Sequence, residues 1–239
     1  MRKPLNILLY ENGDPMDCRC IERFLSAFAK GYWKVVREVI KRTYDGLDEK
    51  TFRVNVAELL PAFKMTRAGA FQGINIDKTG KLRGDDDFHV VDLCWKSIGD
   101  ELCSLKRYID KKVLSTRSRV LVELSPEAEE HVIKTTSCLF EQLSDITVRN
   151  KRGGHSQVGS IAASKILFAV LPEIALPVDT SEWKNVFCTE DYGEVLSTMV
   201  SEIKEWEKAS KKRLDEQDRN QITTLPAIYN VLAMSTRPL

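Results

Sequence analysis

The stretch QVGSIAASKILFAVLPEIALPVDT, residues 157–180, decides how the rest of the chain is read. After a glycine it runs as an apolar helical pattern from Ser160 to about Leu171, where Pro172 limits any extension. Pro177-Val178-Asp179-Thr180 then makes a proline-bounded exit ending on one carboxylate, Asp179. Two readings of it stay open. In the first, a buried helix leaves through a loop whose Asp179 caps the following turn, because Asp-Thr-Ser is a favourable capping sequence. In the second, amides at the start of the helix face outward, where a phosphate would satisfy them and the helix dipole would favour its charge.

Working outward, helical periodicity dominates. From Cys18 to Tyr44, Ile21, Phe24, Leu25, Phe28, Tyr32, Val35, Val36, Val39 and Ile40 recur at helical spacing, which predicts one amphipathic helix bent at Gly31. Residues 48–63 are ambiguous, since Phe52, Val54 and Val56 alternate like a strand while Ala57 to Leu60 suit a helical turn. Residues 65–88 carry four glycines and clustered charge and are expected to form a long loop. The helical period resumes through Val91, Leu93, Cys94, Ile98, Leu102, Leu105 and Ile109. Ser125 followed by Pro126 and Glu127 marks a helix start: a hydroxyl cap, proline at the first position, then acid suited to the dipole. Residues 190–219 read as a long charged helix with Val195, Leu196, Met199, Ile203 and Trp206 in one stripe, and TLPAIYNVLAM closes the chain as a short helix.

The expected class is therefore mainly α with minor β at most: one compact multi-helix unit or two helical lobes. The parts are residues 1–64, the glycine-rich loop 65–88, and a helical part 89–239 with a hairpin at 151–165. At 239 residues a real core is expected, with about 70% of the unfolded surface buried. Lys plus Arg (36) almost equals Asp plus Glu (35), so any polyanion site has to be a local patch. No apolar run is long enough to span a bilayer or serve as a secretory signal, so an intracellular protein, cytoplasmic or nuclear, without a membrane partner is expected. Six scattered cysteines argue for reduced thiols in or near the core.

The order within 151–165 suits a clamp on a nucleic-acid backbone. Val158 would anchor the turn, Gly159 would bend it, and the amides around Ser160 and Ile161 would meet phosphate, with Ala162 and Ala163 permitting close packing. Lys151, Arg152 and His155 stand just before the turn, where they could contact phosphate. Val158-Gly159, Ala163, an apolar helix, then Pro177-Val178-Asp179-Thr180 resembles the helix-hairpin-helix DNA glycosylase superfamily over about 30 residues. That resemblance implies an all-helical protein of DNA repair that flips a base from duplex DNA into a pocket. It implies Asp179 as the catalytic carboxylate, Gly159, Ser160 and Ile161 as phosphate holders, and Lys184 as a basic residue beyond the acid. Gln157 stands where the first hairpin glycine is usual, and Ser181 replaces a histidine often found after the acid. Ile161 occupies the place of the Schiff-base lysine, which leaves a monofunctional hydrolase; Lys165, one turn on, approaches the same face. The iron-sulphur cysteine cluster of some members is absent, and no cofactor is expected.

Other constellations compete. Asp85, Asp86 and Asp87 beside His89 are possible metal ligands, although a charge run in a glycine-rich loop is usually solvated, and no metal is assigned. Asp179, Glu182 and Lys184 also spell the acid, acid-x-lysine order of a nuclease core, which would need adjacent strands. The rival from another class is a non-catalytic helical subunit that binds a protein partner through the charged 190–219 helix.

Overall fold

A computed structural model describes residues 8–11, 13–27, 30–67, 69–72, 89–149, 154–218 and 224–235. The chain is mainly helical, with two small antiparallel ribbons among the described residues. In order these are β1 (Tyr10–Glu11), β2 (Asp14–Pro15), α1 (Cys18–Ala27), α2 (Lys30–Asp45), α3 (Glu49–Ala62), α4 (His89–Asp110), α5 (Val120–Glu123), α6 (Pro126–Ser144), β3 (Thr147–Arg149), β4 (His155–Gln157), α7 (Gly159–Val170), α8 (Thr180–Glu182), α9 (Tyr192–Ser210) and α10 (Leu225–Ser235).

Helix α7 is the axis. Ala162 to Val170 are all buried, which a helix apolar on every side requires, and α2, α3 and α6 pack around it. Around that shell α4 lies against α3 and α6, α9 against α6, and α1 against α10. The ambiguous segment 48–63 is helical because Asp48 caps it, its Oδ1 accepting from Thr51 N at 2.7 Å, and because Phe52, Val56, Leu59 and Leu60 share a buried face. Buried Asn55 fastens α3 to its neighbours, donating to Thr43 Oγ1 of α2 and to the Ala169 carbonyl of α7, each at 2.9 Å. Ser125 caps α6 as its sequence predicts, with Oγ accepting from Ala128 N at 3.4 Å.

Of the helix expected over residues 18–44, α1 and α2 are both helical, with Gly31 inside α2, and residues 28 and 29 between them lie outside the described residues. Their apolar faces serve different partners, α10 for α1 and α3 with α7 for α2. Two expectations need correction. The helix expected over 190–219 stops at Ser210, where Lys211 turns left-handed (φ 56°) and the chain folds back to bury Leu214. Arg119 holds that return, binding Glu207 at 2.7 Å and Asp215 at 2.6 Å. Finally, Cys138 and Cys188 are exposed, unlike buried Cys18 and Cys94.

No described helix is long and apolar enough to cross a membrane, and no three His, Cys, Asp or Glu side chains among the described residues cluster as metal ligands. Asp85 to Asp87 lie outside the described residues.

Candidate nucleic-acid interface

The link from α6 to α7 is a β-ribbon, with Thr147 opposite Gln157, Val148 opposite Ser156 and Arg149 opposite His155. Lys151 and Arg152 lie outside the described residues; His155 is exposed on β4. Val158 is buried, and its N–H donates to the Ile146 carbonyl at 2.9 Å, fixing where α7 begins. Gly159 then takes φ 72°, a left-handed conformation in which a side chain would be strained. No side chain caps α7, Ser160 is exposed, and Gly159 and Ile161 are half-buried. The first amides of a helix have no carbonyl four residues back within it, so this end is positive and open to an anion.

The exit is fastened at several points. Ser164 Oγ accepts from Val178 N at 3.1 Å. The buried Tyr192 hydroxyl donates to the Leu176 carbonyl at 2.8 Å and accepts from Leu176 N at 2.9 Å, and desolvation raises its pKa. These bonds place Asp179 beside α7, where its Oδ1 accepts from the ammonium of Lys165. That lysine side chain is 2% exposed and Asp179 is 30% exposed. The ammonium also lies 4.7 Å from the centre of the Phe63 ring and 3.6 Å from Met65 Sδ. Asp179 and Glu182 form a capping box over α8, Glu182 Oε2 accepting from Asp179 N at 2.7 Å. Glu182 is buried in that role and is not on a strand, which removes the geometry a nuclease core needs.

Beside this pair opens a cleft of about 940 Å³. Ser160 and Ile161 form one wall, Thr180, Trp183, Lys184 and Cys188 to Glu190 another, and Phe140, Glu141, Ser144 and Asp145 the third. The structure thus brings Ser160, Ile161 and Lys184 together; Asp179 precedes the lining residue Thr180 and pairs with Lys165, and none of Asp179, Lys165 and His155 lines the cleft. The walls differ in charge. The α7 start offers amides, while the end of α6 offers Glu141 and Asp145 together with its own negative dipole end. The floor is aromatic: Phe140 stacks on Tyr192 at 4.4 Å, and Trp183 lies 5.9 Å from Phe140. The Trp183 indole N–H is buried with no acceptor among the described residues. Residues 183–187 form a π-helix, a distortion frequent at functional sites, and Cys188 closes it in left-handed conformation (φ 53°).

Sequence reasoning missed the α6 wall and, apart from Lys184, the 183–190 wall, which only tertiary packing brings to α7. One signal was available for Lys165: a lone cation inside an apolar run must find a counter-charge. None of the family models, curated proteins and solved structures compared with the chain matches it.

Proposed function

We propose that the protein binds duplex DNA at the start of α7 and acts as a monofunctional hydrolase that releases a flipped base. The supporting observation is the uncapped α7 start, opened by Gly159 at φ 72°, on the wall of a cleft that also holds Lys184 and adjoins Asp179. A backbone phosphate fits the amides of Ser160 and Ile161. The base fits between the aromatic floor and the acidic wall, where Glu141 and Asp145 accept from its amino groups. Asp179, held by Lys165, is the carboxylate assigned to activate water or stabilise the developing sugar cation.

Fluorescence anisotropy with a short duplex tests the binding. Affinity is expected to fall steeply with salt, and Lys151→Glu with Arg152→Glu, or Ser160→Glu alone, to abolish it. Salt-independent binding, or none, ends the proposal. For the chemistry, Asp179→Asn is expected to retain binding and lose base release. Because this change also removes the partner of a buried ammonium, the loss counts only if the variant remains folded at the assay temperature.

A further inference from the structure

A second pocket lies at the other end of α7. Tyr44 and its neighbours on α2 border a cavity of about 680 Å³ that Thr116, Arg117 and Ser118 also line. Thr43, beside Tyr44, sends its hydroxyl to the Ala169 carbonyl at 3.5 Å. Ten residues of helix separate Ala169 from Gly159, about 15 Å, so this pocket and the α7 start are distinct places.

Its lining is cationic in a protein whose total charge is only +1. Lys34, Arg37 and Lys41 stand at positions i, i+3 and i+7 of α2, on one face and spanning about 10 Å, and Arg117 faces them from the turn. Two carboxylates, Glu38 and Asp45, line the same pocket, leaving an excess of two positive charges. Among the described residues neither Lys34 nor Lys41 is in an ion pair. Arg37 commits its Nε to the Trp33 carbonyl at 3.2 Å, and Arg117 commits one nitrogen to Asp110 at 2.9 Å. Four like charges held around one cavity repel one another, and an anion removes that repulsion. The floor is different in kind: Ile40 is buried, and the Tyr44 ring carries Arg117 at 5.2 Å from its centre.

We infer that this pocket binds a phosphorylated small molecule of about nucleotide size. A phosphate monoester carries about −1.5 to −2 charge near neutral pH, which matches the excess, and Arg presents the forked donors that suit its oxygens. The cavity falls within the range of about 300–1,000 Å³ usual for small-ligand sites, and its apolar floor accepts an organic body that bare phosphate lacks.

Calorimetric titration of the full chain with AMP, adenosine and inorganic phosphate tests the inference. AMP is expected to bind, adenosine not to bind, and inorganic phosphate to bind more weakly than AMP. Both Lys34 and Lys41 are exposed, so Lys34→Gln with Lys41→Gln leaves the fold intact, and it should weaken AMP binding at least about tenfold by removing charge-assisted bonds. Ser160→Glu should leave AMP binding unchanged, which separates this pocket from the DNA proposal. The inference is overturned if AMP does not bind, if phosphate binds as tightly as AMP, or if a 12-base-pair duplex displaces AMP. It is equally overturned if AMP binding follows Ser160→Glu and ignores the lysine pair.

Discussion

The two ends of α7 each hold a buried lysine against one carboxylate, and they differ in how much water reaches the acid. Near its start, Lys165 meets Asp179 beside the Phe63 ring, and Asp179 is 30% exposed. Beyond its end, Lys106 meets Glu173 beside the Tyr44 ring, and Glu173 is 1% exposed with its second oxygen unpaired among the described residues. A sealed pair has exchanged its hydration wholly for its partner, whereas the partly exposed Asp179 keeps contact with water. The first kind serves the fold, and the second can serve chemistry.

The largest expected effect breaks the sealed pair. Glu173→Gln strands the Lys106 ammonium and should cost about 3–5 kcal/mol in urea unfolding, with Asp110 at 3.4 Å a poor replacement. A third buried carboxylate sharpens the contrast, because Glu202 has no cation in contact among the described residues. It accepts from Leu9 N at 2.5 Å and from the Tyr229 hydroxyl, and desolvation pushes its pKa from 4.5 up to about 7. The folded state therefore favours the protonated acid. That contribution is full below about pH 4.5 and is lost as pH rises through 7, amounting to about 3 kcal/mol. The melting temperature should fall by roughly 6–12 °C over that interval, and Glu202→Gln should flatten the profile. Asp179→Asn should cost less, about 1–3 kcal/mol, since Asp179 is 30% exposed and water reaches the site. Smallest of all, Lys165→Met should change stability by less than about 1.5 kcal/mol, because it keeps the stem's packing and leaves Asp179 to solvent. A Lys165→Met variant as damaging as Glu173→Gln would erase the distinction.

What could be read from residue order was whatever is chemically local. The α6 start was legible to the residue because Ser125, Pro126 and Glu127 each act within one turn. The buried run of α7 was legible as an apolar helix. Alternation in Phe52, Val54 and Val56 left that segment ambiguous because Asn55, a polar residue in the same face, is a fastener whose partners on α2 and α7 are distant in sequence. The end of α9 was hidden for the same reason, since Leu214 returns to a core that the charged pattern does not display. Of the candidate site, Asp179, Ser160, Ile161 and Lys184 were legible as a cluster along one stretch. Its acidic and aromatic walls were not, because Glu141, Asp145 and Trp183 become neighbours of α7 only through packing.

One helix wrapped by three others carries a kinetic signature as well. The amide hydrogens of Leu167 to Val170 should exchange with deuterium only when the whole molecule opens, while those of Gly159 to Ile161 should exchange rapidly. A single rod would then report both the slowest and the fastest clocks in the protein, and anything seated at its open tip would slow only the fast one.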